Sequence, residues 1–279
     1  MKVINVQVDG LESAVKEGFY DWVREHDADV VCIQNLKAKE YQLSDDVLYP
    51  DGYNAYFFDA EPDNYSGVAV LTKGMPKAIM TGLAFESCDR YGRYVQADFD
   101  QVSIGSVLFP NVDDHNTLED KLAFQQEFIE HLKKTKRKRR EFIFAGHFAV
   151  AHKSVDLSDY KANQNEPGFL PEEQAFMDQI TGPLEFVDAF REANFGENQF
   201  TWWPDEESAR RNQNGWRLDY QICTPELRQY IVEAKVLRDR LWGGQYAGTI
   251  IEYEFDWSAP IKKAYILKCR PFLLGRFQR

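Results

Sequence analysis

Apolar residues fall into short runs separated by polar turns along most of the chain. Alternating or continuously apolar runs predict strands at 2–8, 29–34, 54–58, 67–72, 94–98, 102–109, 141–148, 217–223 and 249–255. Helical spacing predicts a helix at 13–26, where Val15, Phe19, Trp22 and Val23 share a face. A second is predicted at 117–134, through Leu122, Phe124, Phe128, Ile129 and Leu132. A third, at 171–181, opens on Pro171, Glu172 and Glu173, and "TPELRQYI" at 224–231 offers Thr224 as N-cap and Pro225 at the first helical position. Many strands, few helices and hairpins such as "QADFDQVSIGSV" argue against a purely parallel sheet and predict a two-sheet α/β sandwich. No repeat or low-complexity linker interrupts the pattern, so one domain is expected over 1–257. The segment 258–279 is set apart as a basic tail, since residues 259–279 hold six Lys or Arg and no acid.

Composition narrows the function classes. With 44% apolar and 14% aromatic residues in 279, the chain can bury a sizeable core, which excludes disorder. A net charge of −12, from 33 Lys and Arg against 45 Asp and Glu, argues against a general cationic nucleic-acid binder. The cysteines Cys32, Cys88, Cys223 and Cys269 form no C-x-x-C pair and read as reduced core thiols. "MKVINVQVDG" reads as an alternating strand and not as a signal peptide, and no apolar run approaches ~18 residues. A cytoplasmic protein is the expectation.

Candidate chemistry gathers at the predicted strand ends. "EFIFAGHFAVAH" (141–152) is a buried strand running to Gly146, where a tight turn is predicted, followed by His147. The other ends offer Gln7 and Asp9, Asn35, Asp219, and Gln245 with Tyr246. Neutral amides hold Mg²⁺ weakly without carboxylate support, so this inventory is poor for metal catalysis. No metal and no cofactor are expected.

The order "INVQVDGL", "DADVVCIQNLKA", "YSGVAVLTK", "RYGRYVQADF", "GHFAVAH", "GFLPEEQAF", "FVDAFRE", "QFTWWP" and "GWRLDYQICT" resembles the exonuclease III type of the endonuclease/exonuclease/phosphatase superfamily over residues 1 to 256. The resemblance implies a four-layer αββα sandwich. It also implies lost activity. The family's first-strand asparagine falls on Gln7 and its "QETKA" glutamate on Asn35. Its "YxP" tyrosine falls on Leu108, ahead of Pro110, and the aspartate and asparagine of "GDFN" fall on His147 and Ala149. Its "SDH" falls on Gly244, Gln245 and Tyr246, so the catalytic histidine is missing. Asp219 alone stands as in the family, where it orients that histidine. A catalytically inactive nuclease fold is the expectation.

"DRYGRYVQADFDQVSI", "KRKRREFIFAG", "QFTWWPD" and "GWRLDYQ" further resemble the catabolite repression control branch of the superfamily. That resemblance implies a non-enzymatic repressor of translation, assembling with the RNA chaperone Hfq on A-rich mRNA, with self-association inside the assembly. "KKTKRKRRE" has seven basic residues among its first eight, more than a helix C-terminus requires. Lys136, Arg137, Lys138, Arg139 and Arg140 are therefore candidate RNA or partner contacts, with Arg90 and Arg93 of "RYGR" beside them. Structural roles are expected for His147, His152, Asp219, Trp202 and Trp203. The alternative is a residual Mg²⁺-dependent exodeoxyribonuclease III or abasic-site endonuclease of DNA repair, with Asp9 and Asp219 on the metal and His147 as base.

Overall fold

A computed structural model of the chain describes residues 1–113 and 115–255. The strands begin with β1 (Lys2–Gln7), β2 (Val30–Gln34), β3 (Asn54–Phe58), β4 (Val68–Thr72), β5 (Ala78–Thr81) and β6 (Tyr94–Asp98). They continue with β7 (Val102–Leu108), β8 (Glu141–His147), β9 (Val187–Asp188), β10 (Asp219–Cys223), β11 (Ile231–Trp242) and β12 (Tyr246–Tyr253). They form two six-stranded sheets, ordered β11-β12-β1-β2-β4-β3 and β5-β6-β7-β8-β10-β9. Each sheet has one parallel pair near its middle, β1 with β2 and β7 with β8, flanked by antiparallel partners. The expected two-sheet sandwich is therefore the observed architecture.

The outer faces are covered by helices whose apolar stripes the sequence carries. Leu118–Thr135 buries Phe124, Phe128, Ile129 and Leu132, and Thr117 caps its first turn. Pro171–Thr181 packs beside it through Phe176, Met177 and Ile180. The single helix expected over 13–26 is two, Leu11–Lys16 and Phe19–Glu25, because Gly18 sits between them at φ 93°.

Between the sheets runs a seam that is apolar in bulk and polar along one line. Val3, Val30, Val70, Val95, Ile104, Ile143 and Ile251 form the apolar part. Asn5 Nδ2 donates to the Gly146 carbonyl at 3.2 Å, and Gln34 Nε2 donates to Asn5 Oδ1 and Ser106 Oγ, each at 2.9 Å. Gln221 Nε2 donates to the Val3 carbonyl at 2.9 Å. These bonds join β1 and β2 to β7, β8 and β10, which fixes the two sheets against one another and aligns their strand ends.

The turn expected at Gly146 lies three residues later. Gly146 stays in β8, where a Cβ would stand 2.0 Å from the Val107 carbonyl oxygen. The chain turns at Ala149, whose φ is 58°. Cys32, Cys88 and Cys223 are buried and free, and no described helix is long and apolar enough to cross a membrane. The tail 258–279, with Cys269, lies outside the described residues.

Candidate functional site

The C-terminal ends of β1, β2, β7 and β8 meet the starting ends of β10 and β12 at one edge of the sandwich, because the latter two run antiparallel to their neighbours. A cavity of about 310 Å³ opens there, lined by Gln7, Asn35, Leu108 and Tyr246 together with Lys37, Asn64, Tyr65, Arg93, Asn111, Asp113 and His115. Five of the positions singled out by sequence, Arg93 among them, thus come together. His147 and Asp219 lie beneath it, buried, while Ala149 is buried away from the lining. Gln245 turns aside and donates to the Pro204 carbonyl at 2.7 Å.

His147 has the carboxylate partner that its sequence neighbourhood lacks. It ends β8 directly opposite Asp219, which begins β10. Its Nδ1 lies 3.2 Å from Asp219 Oδ1, and its Nε2 lies 3.4 Å from Oδ1 of Asn111. The second Asp219 oxygen accepts from the Thr201 hydroxyl. Both carboxylate oxygens are therefore engaged inside the protein, in a chain running Thr201, Asp219, His147, Asn111 to the cavity. Sequence reasoning missed Thr201 and Asn111. The Asp219–His147 pairing is a cross-strand register, which no local spacing reveals.

The basic half of the lining centres on Arg93. It is 2% exposed, and its Nη2 donates to the Tyr65 hydroxyl at 3.2 Å and to Asn116 Oδ1 at 3.3 Å. Nη1 reaches the Leu108 carbonyl at 3.4 Å, and Nε has no hydrogen-bond partner. No carboxylate of the described residues pairs with it. Its guanidinium carbon stands 5.1 Å from the Tyr91 ring centre and 5.9 Å from that of Tyr65. Burial lowers the Arg93 pKa from the ordinary guanidinium value. Lys37 supplies a second cation and is paired with Asp9. Tyr246 lies beside Gln7 and Trp202, and burial, followed by the charges of Asp9 and Asp219, pushes its phenol above the ordinary value.

The donor set does not fit a divalent metal. Gln7 Oε1 is buried without a hydrogen-bond partner, but it is a neutral amide oxygen with the Asn35 amide as its neighbour in the lining. Asp9 is half exposed and held by Lys37, and Asp219 is committed to His147 and Thr201. Among the described residues, no three His, Cys, Asp or Glu side chains gather where they could hold a metal ion. The Asp9, Asp219 and His147 metal site of the alternative reading is not assembled.

The remaining candidates separate. Arg90 pairs with Glu61 at 3.3 Å and is not part of the cavity lining. The segment 136–140 precedes β8, so a strand of seven residues, roughly 20 Å, divides it from His147. There Lys136 pairs with Glu185 at 2.5 Å, Arg140 with Asp98 at 3.3 Å, and Lys138 lies 5.4 Å from the Phe142 ring centre. Arg137 and Arg139 are exposed. His152 Nε2 meets Asp178 Oδ1 at 2.7 Å; Trp203 is fully buried and Trp202 partly so.

Comparison with known proteins places this geometry in a lineage. The model of the "Endonuclease/Exonuclease/phosphatase family" matches residues 4–237. An exodeoxyribonuclease of Bacillus subtilis is 30% identical over 86% of this chain and 94% of its own. A DNA-(apurinic or apyrimidinic site) endonuclease of Dictyostelium discoideum is 30% identical over 90% and 71%, and the DNA repair nuclease APEX1 of Danio rerio 32% over 85% and 77%. An AP endonuclease from Archaeoglobus fulgidus shares the fold, with a TM-score of 0.81 at 20% identity over 91% of this chain and 100% of that one. These relatives overturn the expectation of a translational repressor working with Hfq on A-rich mRNA. They are DNA-repair nucleases, and the RNA-binding and regulatory features inferred with that expectation fall with it.

Proposed function

The chain belongs to the endonuclease/exonuclease/phosphatase family, and from that premise we propose that it is a degenerate exonuclease III-type protein that engages DNA of the kind its relatives process, without hydrolysing it. The observation that carries this reading is the commitment of Asp219. Both of its oxygens are held by His147 and Thr201, and His147 is itself buried with Nε2 against Asn111, so the Asp219–His147 pair stands behind the cleft lining and not in it. Amides at Gln7 and Asn35 and a phenol at Tyr246 support it, since none of them supplies the charge that metal-assisted phosphodiester hydrolysis needs. What the cleft does offer is hydrogen-bond donors and two cations, the equipment for holding a phosphate.

A second reading, residual exodeoxyribonuclease or abasic-site endonuclease activity, is favoured by 30–32% identity to enzymes of those names across most of the chain. The two readings part on one assay. A duplex with a single abasic analogue, incubated with the protein and Mg²⁺, is expected to be retained in a native gel and to run intact in a denaturing one. Incision at the analogue supports the second reading and overturns the first.

A further inference from the structure

Charge is unevenly divided over the outside of the sandwich, and its two helical faces carry unpaired groups of opposite sign. We propose that the chain associates with a second copy of itself, the basic segment 134–139 of one copy seating in an acidic pocket on the opposite face of the next. The inference goes beyond the cleft and stands apart from what the cleft binds.

The basic face lies at the end of the helix Leu118–Thr135. Lys133, Lys136 and Arg140 are paired there with Glu130, Glu185 and Asp98. Lys134, Arg137, Lys138 and Arg139 are exposed, and none has a carboxylate partner among the described residues. Like charges so close in sequence repel one another, and an anionic surface relieves them. The acidic face surrounds a pocket of about 300 Å³ between the helices Phe19–Glu25 and Asp45–Leu48. In its lining Asp21 holds Arg24 at 2.5 Å, so the pocket already houses one guanidinium. Asp46 and Asp51 are exposed in the same lining, with no cationic partner among the described residues, and Tyr49 stands with them, 75% exposed. Carboxylates beside an open aromatic ring suit a further guanidinium, which pairs with the acid and stacks on the ring. Arg137 and Arg139 supply that group.

The two faces cannot meet within one copy. The helix Leu118–Thr135 packs through Phe124 and Phe128 with Phe144 and Tyr220, of β8 and β10. Phe19, Trp22 and Val47 pack instead with Val31, Ile33 and Leu71, of β2 and β4. Both sheets, about 10 Å apart, therefore stand between the patches. The contact is head-to-tail and repeats from copy to copy without closing on a dimer. It leaves the cleft open, because the cleft lies at the strand ends. The net charge of −12 opposes approach, but repulsion between exposed charges is screened beyond roughly 8 Å at physiological salt, so the contacting groups decide. A contact of this kind is small and polar, and it belongs to the weak class that shows at high protein concentration. The chain carries both halves of it, which favours its own copy over an unrelated charged protein.

The test is sedimentation velocity of the full chain over a concentration series in about 0.15 M salt. The wild-type protein is expected to sediment faster as its concentration rises, without stopping at a dimer. Arg137→Glu/Arg139→Glu and Asp46→Lys/Asp51→Lys are each expected to lose that rise, because like charges then face one another. All four residues are exposed and without ion-pair partners among the described residues, so both variants are expected to keep the wild-type urea midpoint. An equimolar mixture of the two variants is expected to regain the rise, since each offers the charge that the other lacks. A wild-type protein that sediments at one rate at every concentration overturns the inference. So does a variant that keeps the rise alone, or a mixture that stays monomeric.

Discussion

At the residue scale, His147 and Asp219 form a buried pair whose worth lies in mutual satisfaction. Asp219→Ala strips the partner from His147 Nδ1 and the acceptor from the Thr201 hydroxyl. It is expected to lower the unfolding free energy by roughly 2–3 kcal/mol in urea denaturation, with Asp219→Asn costing less. Ala149 offers a contrary case. It occupies the left-handed region at φ 58°, which alanine adopts at a cost and which the asparagine of the resembled "GDFN" motif tolerates better. Ala149→Gly is therefore expected to be neutral or to raise the urea midpoint, by up to about 1 kcal/mol. The candidate positions were legible in the sequence, one by one. Their consequences were not, because the Asp219–His147 contact depends on the register of β8 and β10, and Asn111 reaches the pair from a loop 36 residues away.

At the scale of elements, the helix Leu118–Thr135 is tied to the loop after β8 by Lys121. Its ammonium donates to the Ala149 carbonyl at 2.7 Å and lies 2.5 Å from Glu173, charge against charge, in a site with 2% and 0% exposure of the two side chains. Glu173 also accepts from the backbone N–H groups of Gly168 and Leu170. Lys121→Met leaves that carboxylate buried and unpaired, and is expected to cost about 3–5 kcal/mol by urea denaturation, with Lys121→Met/Glu173→Gln recovering part of it. His131, on the same helix, packs on the Tyr94 and Phe144 rings, each 5.8 Å away between centres. Burial, and then the charges of Lys138 and Lys134, lowers its pKa to about 4. The unfolded chain, with a histidine pKa of about 6.5, binds a proton that the folded one refuses. Stability is thus expected to fall as pH drops from about 6.5 towards 4, and His131→Gln to flatten that slope in urea titrations; His152, also lowered by burial, supplies the part that persists. The long helices were readable from their apolar spacing. The twelve-residue β11 was not, because register shifts at Ile231/Glu233 and Leu237/Leu241 break the alternation by which a strand is recognised. β5 is a four-residue exposed edge and β9 has two residues, too short to leave a pattern.

At the scale of the molecule, the fold and its site edge follow from two sheets whose parallel pairs point the same way, joined by a polar seam through Asn5, Gln34, Ser106 and Gln221. The family resemblance in the sequence anticipated that architecture correctly and went wrong on the partner, since the matched relatives are nucleases of DNA repair. The basic segment 136–140 and the cleft stand at opposite ends of β8, so a contact at one leaves the other free. The central claim is that this edge holds DNA and leaves it whole. The direct measurement is a single-turnover incubation of an abasic-analogue duplex with excess protein and Mg²⁺, sampled on a denaturing gel while a native gel reports occupancy. The account predicts an intact strand at full occupancy. A Mg²⁺-dependent nick at the analogue that disappears in Asp219→Ala would contradict it.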